Sequence, residues 1–414
     1  MSEGLNGNKP VAKTTGFNLK KMQIKLFDND IKYKITEDLF LAYFECRKNK
    51  RNTINALAFE KHFEQNLFQL EEEILSGDYM PKPSIAFIVK NPVQREIFAA
   101  NFKDRVVHHF LINKLNPLFE NLFIKDSYAC RILKGTHYGV KQIDKYIKSC
   151  SNNYTQNCYV LKLDIQGFFM HIDRNLLFNK LLIFIQQNYN KPDIDLVIEL
   201  CKKIIFNSPT NNCIIKGDIK DWAGLPQNKS LFYSPPNCGL PIGNLTSQVF
   251  ANFYLNTFDQ FIKKELEIKY YGRYVDDFII IHDNKEYLKF LQPVIAQFLN
   301  VKLKLTLHPK KVYLQHYSKG LKFLGTVIKP NRIYIANRTK GNFYNKIKNQ
   351  NIIKGQVNNC QKKYFLSCMN SYLGLMQHYK TYKLRTKIIF KNLAPQWYNF
   401  FYLNRLHSKF ILKK

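Results

Sequence analysis

No stretch of the 414-residue sequence approaches the ~20 consecutive apolar residues that a membrane-spanning helix needs. Met1 to Asn18 is polar, glycine-bearing and without an apolar core, so neither a span nor a secretory leader is expected, and the protein is expected to be soluble and cytoplasmic. The nine cysteines, Cys46, Cys130, Cys150, Cys158, Cys201, Cys213, Cys238, Cys360 and Cys368, form no Cys-x-x-Cys and no ordered Cys/His spacing. That argues against a zinc site or a disulfide framework and fits a reducing compartment. Acids are scarce: 31 Asp and Glu face 63 Lys and Arg, a formal charge of +32. Such an excess is an electrostatic footprint for a polyanion. An AT-rich coding bias toward Lys, Asn, Ile, Phe and Tyr accounts for part of it. It does not account for cations interleaved with aromatics, as in Lys362-Lys363-Tyr364-Phe365 and His378-Tyr379-Lys380-Thr381-Tyr382-Lys383-Leu384-Arg385, where rings could stack on bases while cations take phosphates.

Against that scarcity, two adjacent carboxylates stand out in Tyr270-Tyr271-Gly272-Arg273-Tyr274-Val275-Asp276-Asp277-Phe278-Ile279-Ile280-Ile281, at the tip of an expected β-hairpin. Side chains alternate faces along a strand, so neighbouring carboxylates reach one site only at a tight turn, and a divalent cation best relieves their repulsion. A solvated turn is the competing explanation for a bare Asp-Asp pair. A third acid, Asp164, ends another apolar run, Tyr159-Val160-Leu161-Lys162-Leu163-Asp164. Two strand-end acidic sites far apart in sequence suit a two-metal phosphoryl-transfer centre, with Mg²⁺ the expected ion.

Between them lies Cys238-Gly239-Leu240-Pro241-Ile242-Gly243-Asn244-Leu245-Thr246-Ser247-Gln248, a turn followed by a helix that starts at Asn244 or Thr246. Gly243 would let backbone approach a nucleotide. In this order, the strand Asp, the Leu-Pro-x-Gly-x-x-x-Ser and the Tyr-x-Asp-Asp resemble the palm motifs of reverse transcriptases. The resemblance runs over about residues 35 to 395. The segment from Ile242 to Gln248 is similar to the enzymes of diversity-generating retroelements and also to some bacterial antiphage reverse transcriptases.

The resemblance implies an α+β right-hand polymerase fold. The expected parts are a disordered arm over 1–20, N-terminal helices and fingers over 21–155, a palm with an antiparallel sheet over 156–328 with a polar insertion at 207–236, and a helical basic thumb over 329–414. It implies RNA-directed DNA synthesis with an RNA template, a DNA or RNA primer and dNTPs as partners, no membrane, and an accessory protein subunit or noncoding RNA besides. Asp164, Asp276 and Asp277, with the carbonyl of Ile165, would hold two Mg²⁺ ions, for which Mn²⁺ could substitute. Lys310 or its neighbour Lys311 would protonate the departing pyrophosphate, unless both are surface charges. Lys90 and Arg95 would reach the triphosphate, unless they merely solvate a hairpin. Phe168 or Phe169 would stand against the sugar 2′ position, with Phe169 at the family's place for that ring. Ile242 replaces an amide, which implies low fidelity. Arg105 and Arg131 would touch template or nucleotide, or else be buried partners of Asp104 and Asp126. Phe323, Leu324 and Gly325 would grip the primer end.

Helical periodicity runs from Thr36 to Ser76, and helices are expected from Asp173 to Asn188, Pro192 to Phe206 and Lys285 to Leu299. Lys302 to Leu307 alternates as a strand should, and Asn207 to Pro236 reads as a long loop or short β-excursion. In the thumb, Tyr364, Phe365, Cys368, Met369, Tyr372, Leu373 and Met376 are expected to pack, leaving Lys362, Lys363, Lys380 and Arg385 exposed.

Overall fold

The computed structural model describes residues 29–48, 53–90, 93–353 and 355–413, so the expected arm lies outside the described residues. The chain divides into two compact units, one of residues 1–89, 95–122 and 169–250, the other of 90–94, 123–168 and 251–414. All nine cysteines are free thiols. No helix among the described residues is long and apolar enough to cross a membrane.

In the first unit the periodic stretch from Thr36 to Ser76 resolves into Asn29–Arg47, Ile54–Glu60 and Phe63–Leu75. Leu67, Leu70 and Ile74 share the buried face of the last, and Tyr43 stacks on Phe63. The long helix Phe102–Leu122 runs through this core and carries a buried Lys114, whose ammonium lies 2.5 Å from Asp38 and 2.9 Å from Asp193. A buried cation needs such partners. Strands Ile85–Val89 and Arg95–Ala99 pair antiparallel, and Ile214–Ile215 joins the edge in parallel. Besides that strand, 207–236 carries four short 3₁₀ turns, Pro209–Asn211, Ile219–Trp222, Gln227–Lys229 and Leu231–Tyr233, joined by irregular backbone. It is pinned by Glu96, a buried carboxylate that accepts from Trp222 Nε1 at 2.7 Å, Ser230 Oγ at 2.8 Å and the Leu231 amide at 2.5 Å. The helix Arg174–Asn188 starts where the Asp173 carboxylate caps the Leu176 amide.

The second unit is built on an antiparallel sheet in the order Tyr270–Tyr274, Asp277–His282, Tyr159–Asp164, Tyr313–His316. Its two central strands are largely apolar because both faces are covered: Val160, Ile279 and Ile281 meet Val140, Ile143 and Ile147 of the helix Thr136–Cys150. The helix expected to end at Leu299 continues to Leu303, so Lys302 and Leu303 belong to it rather than to a strand. Leu288, Leu291, Ile295, Leu299 and Leu303 keep one buried stripe, and the left-handed Lys304 stops it. Leu307 then makes a single bridge to Ile165.

Three short strands, Leu321–Phe323, Thr326–Lys329 and Arg332–Ile335, form a meander. The C-terminal region is not wholly helical: after Asn337–Asn351, Asn359–Met376 and Tyr382–Asn392 it ends in the hairpin Phe401–Leu403 and Phe410–Leu412. Phe365 stacks on Trp397 and Phe401 at 4.2 and 4.9 Å, with Met369, Leu373 and Met376 in the same core. Two expectations are corrected here. Tyr364 is exposed, one position off the buried stripe, and Arg385 is buried, its guanidinium donating to the Leu406 carbonyl in the loop of that hairpin.

Candidate active site

Register creates the site. Asp164 ends its strand directly opposite Asp277, the first residue of the neighbouring strand. Side chains of directly opposed residues lie on one face of a sheet with Cβ atoms roughly 5 Å apart. Tyr274 pairs with Asp277, which leaves Val275 and Asp276 as a two-residue hairpin loop. The Ile165 amide donates to the Asp276 carbonyl at 3.3 Å, and the His308 amide donates to the Asp164 carbonyl at 2.8 Å. Three carboxylates therefore meet at one end of the sheet, within one unit.

The electrostatics are those of buried carboxylates that repel one another and are only partly offset by two lysines. Burial, then the nearby Asp164 charge, pushes the Asp276 carboxyl up to about 6. Burial also raises Asp277, and the Lys162 ammonium opposes that shift. Lys162 Nζ is 2.9 Å from Asp277 Oδ2, and Lys311 Nζ is 2.9 Å from Asp164 Oδ1. Asp277 Oδ1 is buried with no hydrogen-bond partner.

Among the described residues no three His, Cys, Asp or Glu side chains stand close enough together to hold a metal ion as they are. The orphaned Oδ1 of Asp277, the mutual repulsion around Asp276 and the all-oxygen donor set nevertheless fit a hard divalent cation. Asp164, Asp276 and Asp277 could hold it, with the two lysines as standing counter-charge.

Of the two neighbouring lysines, Lys311 reaches the carboxylates. Lys310 is exposed, and its backbone amide donates to His308 Nδ1. Lys162 reaches further: its ammonium donates to the Lys322 carbonyl at 3.3 Å and lies 5.9 Å from the Phe323 ring centre. Phe323 is buried, and Leu324 and Gly325 form a two-residue turn with φ of +44° and +81° before Thr326. That double positive φ is a type I′ hairpin signature. The Gly325 carbonyl accepts from the Ala336 amide and Thr339 Oγ1. Arg131 binds its own loop, donating to the carbonyls of Ile124 and Ser127 over the Phe123 ring. Asp126 instead takes Tyr146 and Tyr128, so it is not the partner considered for Arg131.

Phe168 is buried, 2% exposed, whereas Phe169 is half-buried. Within the first unit, Phe169 and Ile242 flank a buried group of Ala86, Phe98, Met170 and Leu231. The Phe98 amide donates to the Ile242 carbonyl at 2.9 Å, and the Ala100 amide donates to Asn244 Oδ1 at 3.2 Å. The Leu-Pro-x-Gly loop is thus fastened to the hairpin strand Arg95–Ala99. Lys90 and Arg95 are exposed. Arg105 is half-buried, donating to the Ala100 carbonyl, and Asp104 is held by the Tyr79 hydroxyl and the Lys82 amide instead.

Sequence reasoning passed over Lys162 and Arg273. Lys162 shares a face with Asp164 by simple alternation, so it was readable; the partner of Arg273, Asp259, lies on another element.

An antiparallel sheet with a strand-end aspartate opposite an Asp-Asp turn, wrapped by helices, defines a polymerase palm. The family model of the reverse transcriptase (RNA-dependent DNA polymerase) matches residues 81–328, and the chain belongs to that family. It is similar to Protein YkfC of Escherichia coli, 22% identical over 306 residues covering 66% of this chain and 73% of that protein. It is also similar to the group II intron-encoded protein LtrA of Lactococcus lactis, 19% identical over 391 residues, 78% of this chain. The chain spans only 59% of the length of LtrA. Among solved structures, apo telomerase from Candida tropicalis aligns at a TM-score of 0.47 and 13% identity, covering 78% of this chain and 61% of that one.

Proposed function

We propose that this chain copies an RNA template into cDNA by nucleotidyl transfer at Asp164, Asp276 and Asp277. The observation that carries the reading is the register that sets Asp164 opposite Asp277 beside the Asp276 turn. Two Mg²⁺ ions, or Mn²⁺, held by these carboxylates and the Ile165 carbonyl, would lower the pKa of the primer 3′-hydroxyl and steady the leaving pyrophosphate. The residues do the rest. Of Lys310 and Lys311, the two candidates for protonating the departing pyrophosphate, Lys311, already on Asp164, is the better placed. Phe323, Leu324 and Gly325 hold the primer end through the hairpin that Lys162 ties to Asp277. Phe169 meets the sugar, Ile242 and Gly243 line the nucleotide side, and Lys90 and Arg95 take the triphosphate. Arg105 and Arg131, which also donate to the carbonyls of Ala100 and Ile124, contact template or nucleotide. Fingers, palm and thumb take 21–155, 156–328 and 329–414.

The biological setting we propose is a diversity-generating retroelement, supported by the segment from Ile242 to Gln248, with an accessory protein subunit and a template-repeat RNA as partners. Ile242 offers no amide to nucleotide or template, which supports low fidelity. The same segment also suits an antiphage enzyme that makes cDNA from a dedicated noncoding RNA.

The experiment is to purify the protein from its native host, sequence the nucleic acid that accompanies it, and repeat with Asp276→Asn and Asp277→Asn together. cDNA dependent on both aspartates is expected, copying a repeat with substitutions concentrated at adenines. A uniform or repetitive product favours the antiphage reading. Absence of cDNA from the intact protein sinks the polymerase reading.

A further inference from the structure

Arg273 is a fully buried cation, 0% exposed, on the strand that leads into the Asp276 turn. Its guanidinium has five N–H groups, and all five are used. Nε donates to Asp259 Oδ1 at 2.7 Å and Nη2 to Asp259 Oδ2 at 2.6 Å, a bidentate ion pair. Nη2 also donates to Ser127 Oγ at 3.1 Å, and Nη1 to Asn252 Oδ1 at 3.2 Å. The fifth bond goes from Nη1 to the carbonyl of Val275 at 3.0 Å.

Core stability does not by itself call for such a device, because a buried ion pair loses about as much to desolvation as it gains, and apolar residues of similar volume often serve as well. Val275 does call for one. It is the first residue of the two-residue loop and has φ of +57°. In a hairpin with positive φ at its first loop residue only, that position ordinarily takes glycine. A β-branched side chain there is strained by roughly 1–3 kcal/mol and persists only when its surroundings over-determine it. The next residue is Asp276.

We infer that Arg273 is a positioning residue: by holding the Val275 carbonyl it keeps this strained turn in the one conformation that presents Asp276 beside Asp164 and Asp277. The rest of its network anchors it, Asp259 by charge, Asn252 and Ser127 by fixing the plane of the fork. Lysine cannot replace it, since one flexible ammonium cannot serve four acceptor residues in fixed directions. The inference rests on the reading of Asp276 as part of the catalytic centre.

The test uses three variants of the full chain. Arg273→Met with Asp259→Asn removes both charges and leaves an amide carbonyl for the Tyr271 hydroxyl that Asp259 now accepts. Val275→Gly removes the strain, and the triple variant combines them. Each is measured for thermal midpoint without metal, for Mn²⁺ affinity by electron paramagnetic resonance, and for kcat and KM on a primed RNA template. The Arg273/Asp259 double variant is expected to fold and to lose about 100-fold in kcat, the usual cost of a ~1 Å misplacement, with KM for the dNTP changed far less and Mn²⁺ affinity reduced. Val275→Gly in that background is expected to recover at least about tenfold of kcat, since glycine adopts the turn unaided. A merely structural role for Arg273 predicts no such recovery.

Parent-level kcat in the folded double variant, or no recovery in the triple, overturns the inference. Should the double variant not fold, Val275→Gly alone decides: a midpoint at or above that of the parent supports the strain on which the inference stands, and a clear fall overturns it. An inactive parent protein would instead remove the catalytic reading itself, which separates the two failures.

Discussion

The Lys162 ammonium lies 2.9 Å from Asp277 Oδ2 and 3.3 Å from the Lys322 carbonyl, so one side chain joins a carboxylate of the site to the hairpin that precedes Gly325. Lys162 points to the same face as Asp164, two positions on, which is how it reaches both. A charged hydrogen bond of this kind contributes about 1.5–3 kcal/mol. Lys162→Met is therefore expected to lower kcat at least about tenfold and to raise the KM for primer, because the carboxylate and the hairpin lose their common tether. Primer-extension kinetics check this. Unchanged KM for primer alongside a reduced kcat would mean that Lys162 serves the carboxylate alone.

Phe168 and Phe169 separate by burial. Phe168 is core, so Phe168→Ala is expected to cost about 3–5 kcal/mol of stability. Its effect on sugar choice should be nil. Phe169 is half-buried, and Phe169→Ala is expected to leave stability nearly intact while raising ribonucleotide incorporation relative to deoxyribonucleotide by tenfold or more, on the order expected when a steric clash worth over ~1.4 kcal/mol is removed. Single-nucleotide extension with each triphosphate measures the ratio, and an unchanged ratio in Phe169→Ala removes the proposed role.

Much of this was readable because it depends on short-range rules. The hairpin tip at Asp276 and the strand end at Asp164 follow from alternation, turn residues and apolar runs, and the helix expected from Asn244 or Thr246 starts between them at Leu245. What escaped depends on distant partners. Glu96 finds Trp222, Ser230 and Leu231 well over a hundred residues later, which turns an apparently loose polar stretch into a pinned one. Arg385 looked exposed by helical phase, yet the final hairpin covers it. Lys310 and Lys311 are equivalent in charge and adjacent in sequence; only the folded chain shows that Lys311 meets Asp164.

Asp104 and His108, one turn apart on the helix Phe102–Leu122, have pKa values shifted in opposite directions and line the same small pocket with Asn244 and Ser247. Burial raises Asp104 to about 6 and lowers His108 to about 3. With the folded Asp104 pKa above its unfolded value, its contribution to stability is full below pH ~4 and is lost as pH rises through about 6. With the folded His108 pKa below its unfolded value, its contribution is full above pH ~6.5 and is lost as pH falls toward about 3. The two nearly cancel between pH ~4 and ~6, so each variant unmasks the other. His108→Gln is expected to gain stability relative to the parent as pH falls from 7 to 5, and Asp104→Asn to gain relative to the parent as pH rises from 4 to 7. Urea unfolding midpoints at those pH values check both signs; a parallel shift of either variant at all pH values would refute the titration.

Gly243 sits at φ of +123°, and a Cβ there would meet Ile97 Cγ2 at 2.9 Å and the Phe98 carbonyl oxygen at 3.3 Å. Both neighbours belong to the hairpin strand that fastens the loop, since the Phe98 amide already holds the Ile242 carbonyl. A methyl group would therefore strain the backbone and push the loop off the strand at once. Gly243→Ala is expected to lower stability by about 1–3 kcal/mol and, if the loop lines the nucleotide side as proposed, to raise the KM for the incoming dNTP more than it lowers kcat. Thermal unfolding and steady-state kinetics on a homopolymer template would test this. A variant with parent KM and reduced kcat would show that the loop acts on the carboxylate end instead. Loss of stability with both constants unchanged would reduce Gly243 to a packing role.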